Sequence, residues 1–142
     1  MKIVLGADHG GYQLKEVIKK YLTEKGYEVL DKGTYSTDSV DYPDYAKAVA
    51  QSILNKEADY GVLVCGTGLG ISIAANRYKG IRAALCNNTT MAKLTREHNN
   101  ANILALGGRT TGDVLALDIL DTFLNTEFQG GRHQNRIDKM DI

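Results

Sequence analysis

Strands alternating with helices along the chain predict a doubly wound α/β fold of three layers, α/β/α, around a five-stranded parallel sheet. Two observations carry this reading. Short apolar runs bounded by glycine, such as Val62-Leu63-Val64, suit strands buried on both faces. Between such runs lie longer segments whose apolar residues recur at helical spacing, as Leu14, Val17, Ile18, Tyr21 and Leu22 do.

Taken in order, residues 2 to 7 form the first strand, and Asp8-His9-Gly10-Gly11 turns out of its carboxyl end into a helix that Gly26 stops. Residues 27 to 31 return as a second strand. A polar loop then reaches Asp41-Tyr42-Pro43-Asp44, where Pro43 suits the first turn of a helix buried through Tyr45, Ala46, Val49, Ala50, Ile53 and Leu54. The third strand ends at Cys65 and passes through a glycine loop into a helix beginning near Ile71. Residues 81 to 86 make the fourth strand, 89 to 97 a short helix, and 102 to 106 the fifth strand, ending at Gly107-Gly108-Arg109. The helix over 111 to 125 is apolar on nearly every side, so a subunit interface is expected on it.

At 142 residues the chain is read as one domain, 1–142, large enough to bury a core without metal or disulfide. Seventeen basic residues balance seventeen acidic ones, which gives no reason to expect nucleic acid or an anionic membrane as partner. The opening apolar run breaks at Asp8-His9 and reads as a strand, not a leader. No run approaches the roughly 18 apolar residues of a membrane span. Two cysteines, Cys65 and Cys86, without framework spacing are expected as reduced thiols in the cytoplasm.

The chain is organised around Cys65-Gly-Thr-Gly-Leu-Gly70. Glycines at 66, 68 and 70 remove the Cβ atoms that would hold a ligand off the backbone, and they leave several amides aimed at one spot before a helix. An anionic group is expected there. Cys65 lies at the edge of that field, which makes it a candidate nucleophile or base. A dinucleotide site is disfavoured: the spacing is GxGxG, it follows the third strand, and Cys86-Asn87 supplies no acid for a ribose. A cysteine phosphatase would need an arginine where Leu69, Gly70 and Ile71 stand. A Cys/His acyl hydrolase stays open, since Cys65 and His98 could pair with Asn99 orienting the imidazole.

Ligands of doubly wound folds bind beyond the carboxyl ends of strands, so Asp8-His9, Cys65 to Gly70 and Gly107 to Arg109 are expected to converge. Asp8 either serves chemistry or caps its turn. In Gly130-Gly-Arg-His-Gln-Asn-Arg136, helical geometry stacks Arg132 and Arg136 on one face, where an anion between them would relieve their repulsion. Cys86 and His133 are read as structural, neither having a helpful neighbour in sequence. These groups suit a phosphorylated small molecule losing a proton beside its carbonyl: a thiolate takes the proton, amides hold the enediolate oxygen, and arginines grip the phosphate.

Gly-Ala-Asp-His-Gly-Gly at 6 to 11, Asp-Tyr-Pro-Asp-Tyr-Ala at 41 to 46, Cys-Gly-Thr-Gly-Leu-Gly-Ile-Ser-Ile-Ala-Ala-Asn at 65 to 76, His-Asn-Asn-Ala-Asn at 98 to 102 and the tail motif together resemble the type B ribose-5-phosphate isomerases of the ribose/galactose isomerase family. The resemblance implies a Rossmann-like sheet of order 2-1-3-5-4. It implies interconversion of ribose 5-phosphate and ribulose 5-phosphate, in the pentose phosphate pathway, with no metal and no organic cofactor. It also implies a homodimer, sometimes paired into a tetramer, with active sites between subunits. By the same matching Cys65 is the base, Thr67 and the amides of Gly66 to Gly70 hold the oxyanion, and His98 opens the furanose ring with Asp8 as partner. Tyr42 and Asn99 contact sugar hydroxyls, and His9, Arg109, Arg132 and Arg136 bind phosphate. Part of the family carries Glu six places beyond the cysteine; Ile71 stands there in this chain. Allose 6-phosphate and galactose 6-phosphate are the alternative substrates, and a non-catalytic sugar-phosphate module is the rival outside catalysis.

Overall fold

The computed structural model describes residues 1–141. Its elements are β1 (Lys2–Ala7), α1 (Tyr12–Glu24), β2 (Glu28–Asp31), α2 (Tyr42–Leu54), β3 (Tyr60–Cys65), α3 (Leu69–Ala75), β4 (Ala83–Leu85), α4 (Thr89–Asn99), β5 (Ile103–Gly107), α5 (Asp113–Leu124) and α6 (Arg132–Ile137). The strands form one sheet in the order β2-β1-β3-β5-β4, with every pair parallel. The expected three-layer α/β fold is therefore present, in the strand order the resemblance implies.

Alternation along the strands divides the core in two. Ile3, Leu5, Val62, Val64 and Leu104 face α1, α4 and α5 through Leu14, Ile18, Leu22, Ala92, Ile119 and Phe123. Val4, Leu63, Cys65 and Ile103 face α2 and α3 through Ala46, Val49, Ala50, Ile71 and Ala75. Because β1, β3 and β5 are covered on both faces, they read as unbroken apolar runs. Their register sets Ala7 beside Val64 and Cys65 beside Gly107, so the three carboxyl ends are level.

Three elements depart from expectation. β4 is three residues long where six were expected, since it is the sheet edge: its outer side is closed by the Asn76 side chain, which donates to the Ala83 carbonyl at 2.8 Å and accepts its amide at 2.7 Å. α4 runs two residues further than expected, to a left-handed cap at Asn100, so His98 and Asn99 belong to its last turn. α5 buries Ala116, Ile119, Leu120, Phe123 and Leu124 within the chain, and only Val114 and Leu115 of its apolar residues stay well exposed. The apolar perimeter that suggested an interface on α5 is thus mostly accounted for by α1, α4 and the sheet. Among the described residues no helix is long and apolar enough to cross a membrane.

A buried ion pair ties α1 to the end of β2. The Lys15 side chain is 1 % exposed, and its Nζ lies 2.9 and 2.8 Å from the two Asp31 oxygens. Burial raises the Asp31 pKa, but hydrogen bonds from Lys15, the Gly33 amide and Lys19 outweigh it and hold the carboxyl below its ordinary value. A depressed folded-state pKa contributes stability that is fully present above the unfolded value of about 3.9 and is lost as pH falls through the folded value. Lys15→Met should lower unfolding stability at pH 7 by about 3 kcal/mol, by leaving a buried carboxylate short of its main partner. Urea titrations at pH 7 and in the acid range check both the loss and the flattening of its pH dependence; an unchanged midpoint would contradict the pairing.

Candidate active site

Cys65 occupies the last position of β3, 5 % exposed, and its side chain packs on the α2 and α3 side of the core. Its Sγ accepts the Gly68 amide at 3.1 Å. Gly68 has φ 79°, and a Cβ there would lie 2.6 Å from Leu85 Cδ1, so only glycine allows the loop to double back on the sulfur. The Leu69 amide donates to Thr67 Oγ1 at 3.2 Å. Among the described residues the amides of Gly66, Thr67 and Gly70 donate to no other group and remain available to an anion. α3 has seven residues, so these local N–H groups supply the field rather than a long helix dipole.

The neighbouring strand ends close on this cradle as the parallel topology requires. Asp8, 7 % exposed, accepts the Gly10 and Gly11 amides through Oδ1 at 2.9 and 3.2 Å, which makes it the cap of its turn. His9 Nδ1 accepts the Val40 amide at 3.2 Å, so the neutral ring carries its hydrogen on Nε2, free to donate. A Cβ on Gly10 would lie 3.1 Å from the Gly66 nitrogen, one on Gly66 3.1 Å from Arg109 Nη1, and one on Gly70 2.8 Å from the Tyr42 ring. Asp8, His9, Tyr42, Cys65, Thr67, the three glycines and Arg109 therefore share one end of the sheet. The Val40 amide was not foreseen, because nothing in the 32–41 loop marks which N–H returns to β1.

His98, Asn99, Arg132 and Arg136 are elsewhere. α4 descends from the carboxyl end of β4 and finishes just before Ile103, which is level with Gly61; Cys65 is level with Gly107. Four strand steps at about 3.3 Å separate those levels by roughly 13 Å. The tail joins the same far end: the Gln129 amide donates to the Glu97 carbonyl at 3.1 Å, and α6 packs on α4. Cys65 and His98 of one chain thus do not pair, which removes the intrachain Cys/His arrangement a hydrolase would use. Arg132 and Arg136 do stand on one helix, as the tail spacing predicted.

The far end is rigidly held by residues the sequence reading passed over. Arg96, 3 % exposed, donates to Asn100 Oδ1 at 2.8 Å, the Ala101 carbonyl at 2.7 Å, the Thr126 carbonyl at 3.1 Å and the Tyr60 hydroxyl at 2.9 Å. Arg82 donates to the Asn99 carbonyl at 2.9 Å and the Asn100 carbonyl at 3.0 Å. His133, read as structural for want of a neighbour, lies face to face with His98, ring centroids 4.4 Å apart. Cys86 agrees with its structural reading: burial pushes its thiol up to about 11.

Comparison with known proteins follows the same lines. The family model for ribose/galactose isomerases matches residues 3–140. Ribose-5-phosphate isomerase B of Escherichia coli K12 is 50% identical over 137 residues, covering 96% of this chain and 92% of that one. A solved ribose 5-phosphate isomerase of this type from Thermotoga maritima superposes with a TM-score of 0.98 at 64% identity, covering 99% of this chain and 97% of the other. The Mycoplasma genitalium ribose-5-phosphate isomerase B with bound ribulose-5-phosphate has a TM-score of 0.92 at 44% identity, covering 98% and 93%. With a matched motif set, a matched sheet and a family model spanning nearly its whole length, the chain belongs to the ribose/galactose isomerase family.

Proposed function

We propose that the protein interconverts D-ribose 5-phosphate and D-ribulose 5-phosphate through an enediolate, with residues 1–142 acting as one isomerase domain in the reducing cytoplasm. The observation that carries this is the Cys65 sulfur set beside a loop of free amides. Cys65, as thiolate, takes the proton from C2 of the open-chain aldose, leaving an enediolate whose charge rests on O1. The Thr67 hydroxyl and the available amides of Gly66, Thr67 and Gly70 stabilise that negative charge. The O2 proton passes to O1 and the thiol returns its proton to C1, leaving the ketose with its carbonyl at C2 and the sulfur again as thiolate. A reducing compartment keeps this sulfur unpaired.

The remaining groups reach the cradle only from a second copy of the chain. Exposed Leu69 and Ile73 on α3 and Met91 and Leu94 on α4 flank the edge strand β4. Both helices run from the carboxyl to the amino end of the sheet. A two-fold axis crossing that edge would reverse one copy against the other and bring His98, Asn99, Arg132 and Arg136 of each to the cradle of its mate. On this reading the protein is a homodimer, with pairing into a tetramer as a further step. His98 protonates the furanose ring oxygen, with Asp8 as its partner across the interface. Tyr42 and Asn99 engage sugar hydroxyls; His9, Arg109, Arg132 and Arg136 hold the phosphate.

Proton NMR in deuterated water with ribose 5-phosphate and allose 6-phosphate as separate substrates tests the reading. Deuterium should enter C1 of ribulose 5-phosphate and C2 of ribose 5-phosphate as the two interconvert. Preferential turnover of the six-carbon sugar would reassign the substrate, binding without exchange would favour a sugar-phosphate module, and acyl release from esters would favour a hydrolase.

A further inference from the structure

His98 is the one proposed chemical group that the chain grips by stacking alone. Among the described residues its ring nitrogens make no hydrogen bond, so nothing polar fixes the rotation of the imidazole about its last torsion. What confines it is a second ring: His133 lies parallel to it, centroids 4.4 Å apart and planes inclined by 17°. A face-on neighbour holds the ring plane but leaves both nitrogens open at the edge, where proton transfer occurs.

The chain devotes several contacts to this arrangement. The Gln129 amide and side chain bind the Glu97 carbonyl at 3.1 Å and the Glu97 carboxylate at 2.9 Å, one residue before His98. Gly130 and Gly131, at φ 69° and 59°, then turn the backbone so that α6 starts against α4. Arg82 and Arg96 bind the carbonyls of Asn99, Asn100 and Ala101, which ties down the end of α4 that carries His98. Desolvation, and then the charges of His98, Arg132 and Arg136, keep the His133 pKa below the usual imidazole value.

We infer that His133 is a positioning residue for His98, holding the imidazole plane in the orientation that delivers a proton to the sugar ring oxygen. The inference rests on the isomerase reading in which His98 opens the ring, and it adds that the tail contributes to chemistry as well as to phosphate binding. It also separates two steps. Ribose 5-phosphate must be opened before its C2 proton can leave. Ribulose 5-phosphate, whose O5 carries the phosphate, has no furanose to open, and its C1 proton can be exchanged without help from His98.

The test uses the full chain as wild type, His133→Ala and His133→Phe. Two rates are measured: net conversion of ribose 5-phosphate, and deuterium wash-in at C1 of ribulose 5-phosphate in deuterated water. His133→Ala should lower net conversion about tenfold through a misdirected ring while leaving ketose exchange within about twofold of wild type. His133→Phe, which keeps a flat ring against His98, should recover most of the lost conversion. Unchanged conversion in His133→Ala, an equal fall in conversion and exchange, or a phenylalanine variant as impaired as the alanine one would each overturn the inference. A wild-type protein that neither converts nor exchanges would instead remove the isomerase reading, and the inference with it.

Discussion

Cys65→Ala is expected to lower isomerisation of ribose 5-phosphate by about 10³-fold, the size of a general-base contribution, while fold and substrate affinity survive. The change is small in volume and sits at a strand end, where the neighbours Ile71 and Ala46 already form the packing. Its structural cost is the Gly68 amide left without its sulfur acceptor, a loss on the order of 1 kcal/mol. No nearby group replaces the base. Ile71, six places further on, is fully buried and apolar, and the Asp8 carboxylate already accepts two backbone amides. Isomerase assays alongside thermal melting and substrate titration separate the chemical loss from unfolding. Turnover near the wild-type rate would mean that another group moves the proton.

Mixing two inactive variants should restore activity if each site draws on two chains. Cys65→Ala and His98→Ala homodimers each carry a defect in both sites. When they exchange subunits, a mixed dimer gathers both defects into one site and leaves the other intact. Random exchange makes half of the dimers mixed, each with one working site of two, so about a quarter of wild-type activity should return. The measurement is specific activity before and after co-refolding or prolonged co-incubation. No recovery, despite demonstrated subunit exchange, would place Cys65 and His98 in a site built by one chain and contradict the two-fold arrangement. The separation of the two residues by the length of the sheet makes that outcome hard to reconcile with a working site in the isolated chain.

The grouping of candidate residues around Cys65 was legible residue by residue. Asp8 and Arg109 follow strands and Cys65 ends one, and in a parallel sheet every strand's carboxyl end is on the same side. Tyr42 was placed by Pro43, which marks the first turn of a helix whose start must lie beside the end of β1. The hydrolase alternative pairs Cys65 with His98 within one chain, whereas the resemblance implies sites between subunits. The sequence itself carries a signal against the intrachain pair, since a residue shortly before a strand belongs to the amino end. His98 stands five positions before Ile103. Extension of α4 to Asn99 was hidden because Arg96, His98 and Asn99 are polar, and periodicity of apolar residues cannot register a turn stabilised by a buried guanidinium binding carbonyls.

His133 and Val40 illustrate a different limit. Their partners are 35 and 31 positions away, and neither contact leaves a trace in local spacing. Which rings touch depends on the angle at which α6 meets α4, itself set by two left-handed glycines and the Gln129 contact to Glu97.

By itself the amino-acid order determined which residues are apolar, at what period, and which glycine loops follow strands, and those determine the layers of the fold and the end at which the sulfur sits. Tertiary structure alone decided that the imidazole and the tail arginines lie at the opposite end of the sheet from the sulfur, and that one histidine lies against another. The reason is physical: periodicity encodes what each segment buries, whereas meetings between distant segments are settled by the rise of a strand, the length of a helix and the angle at which rigid pieces pack.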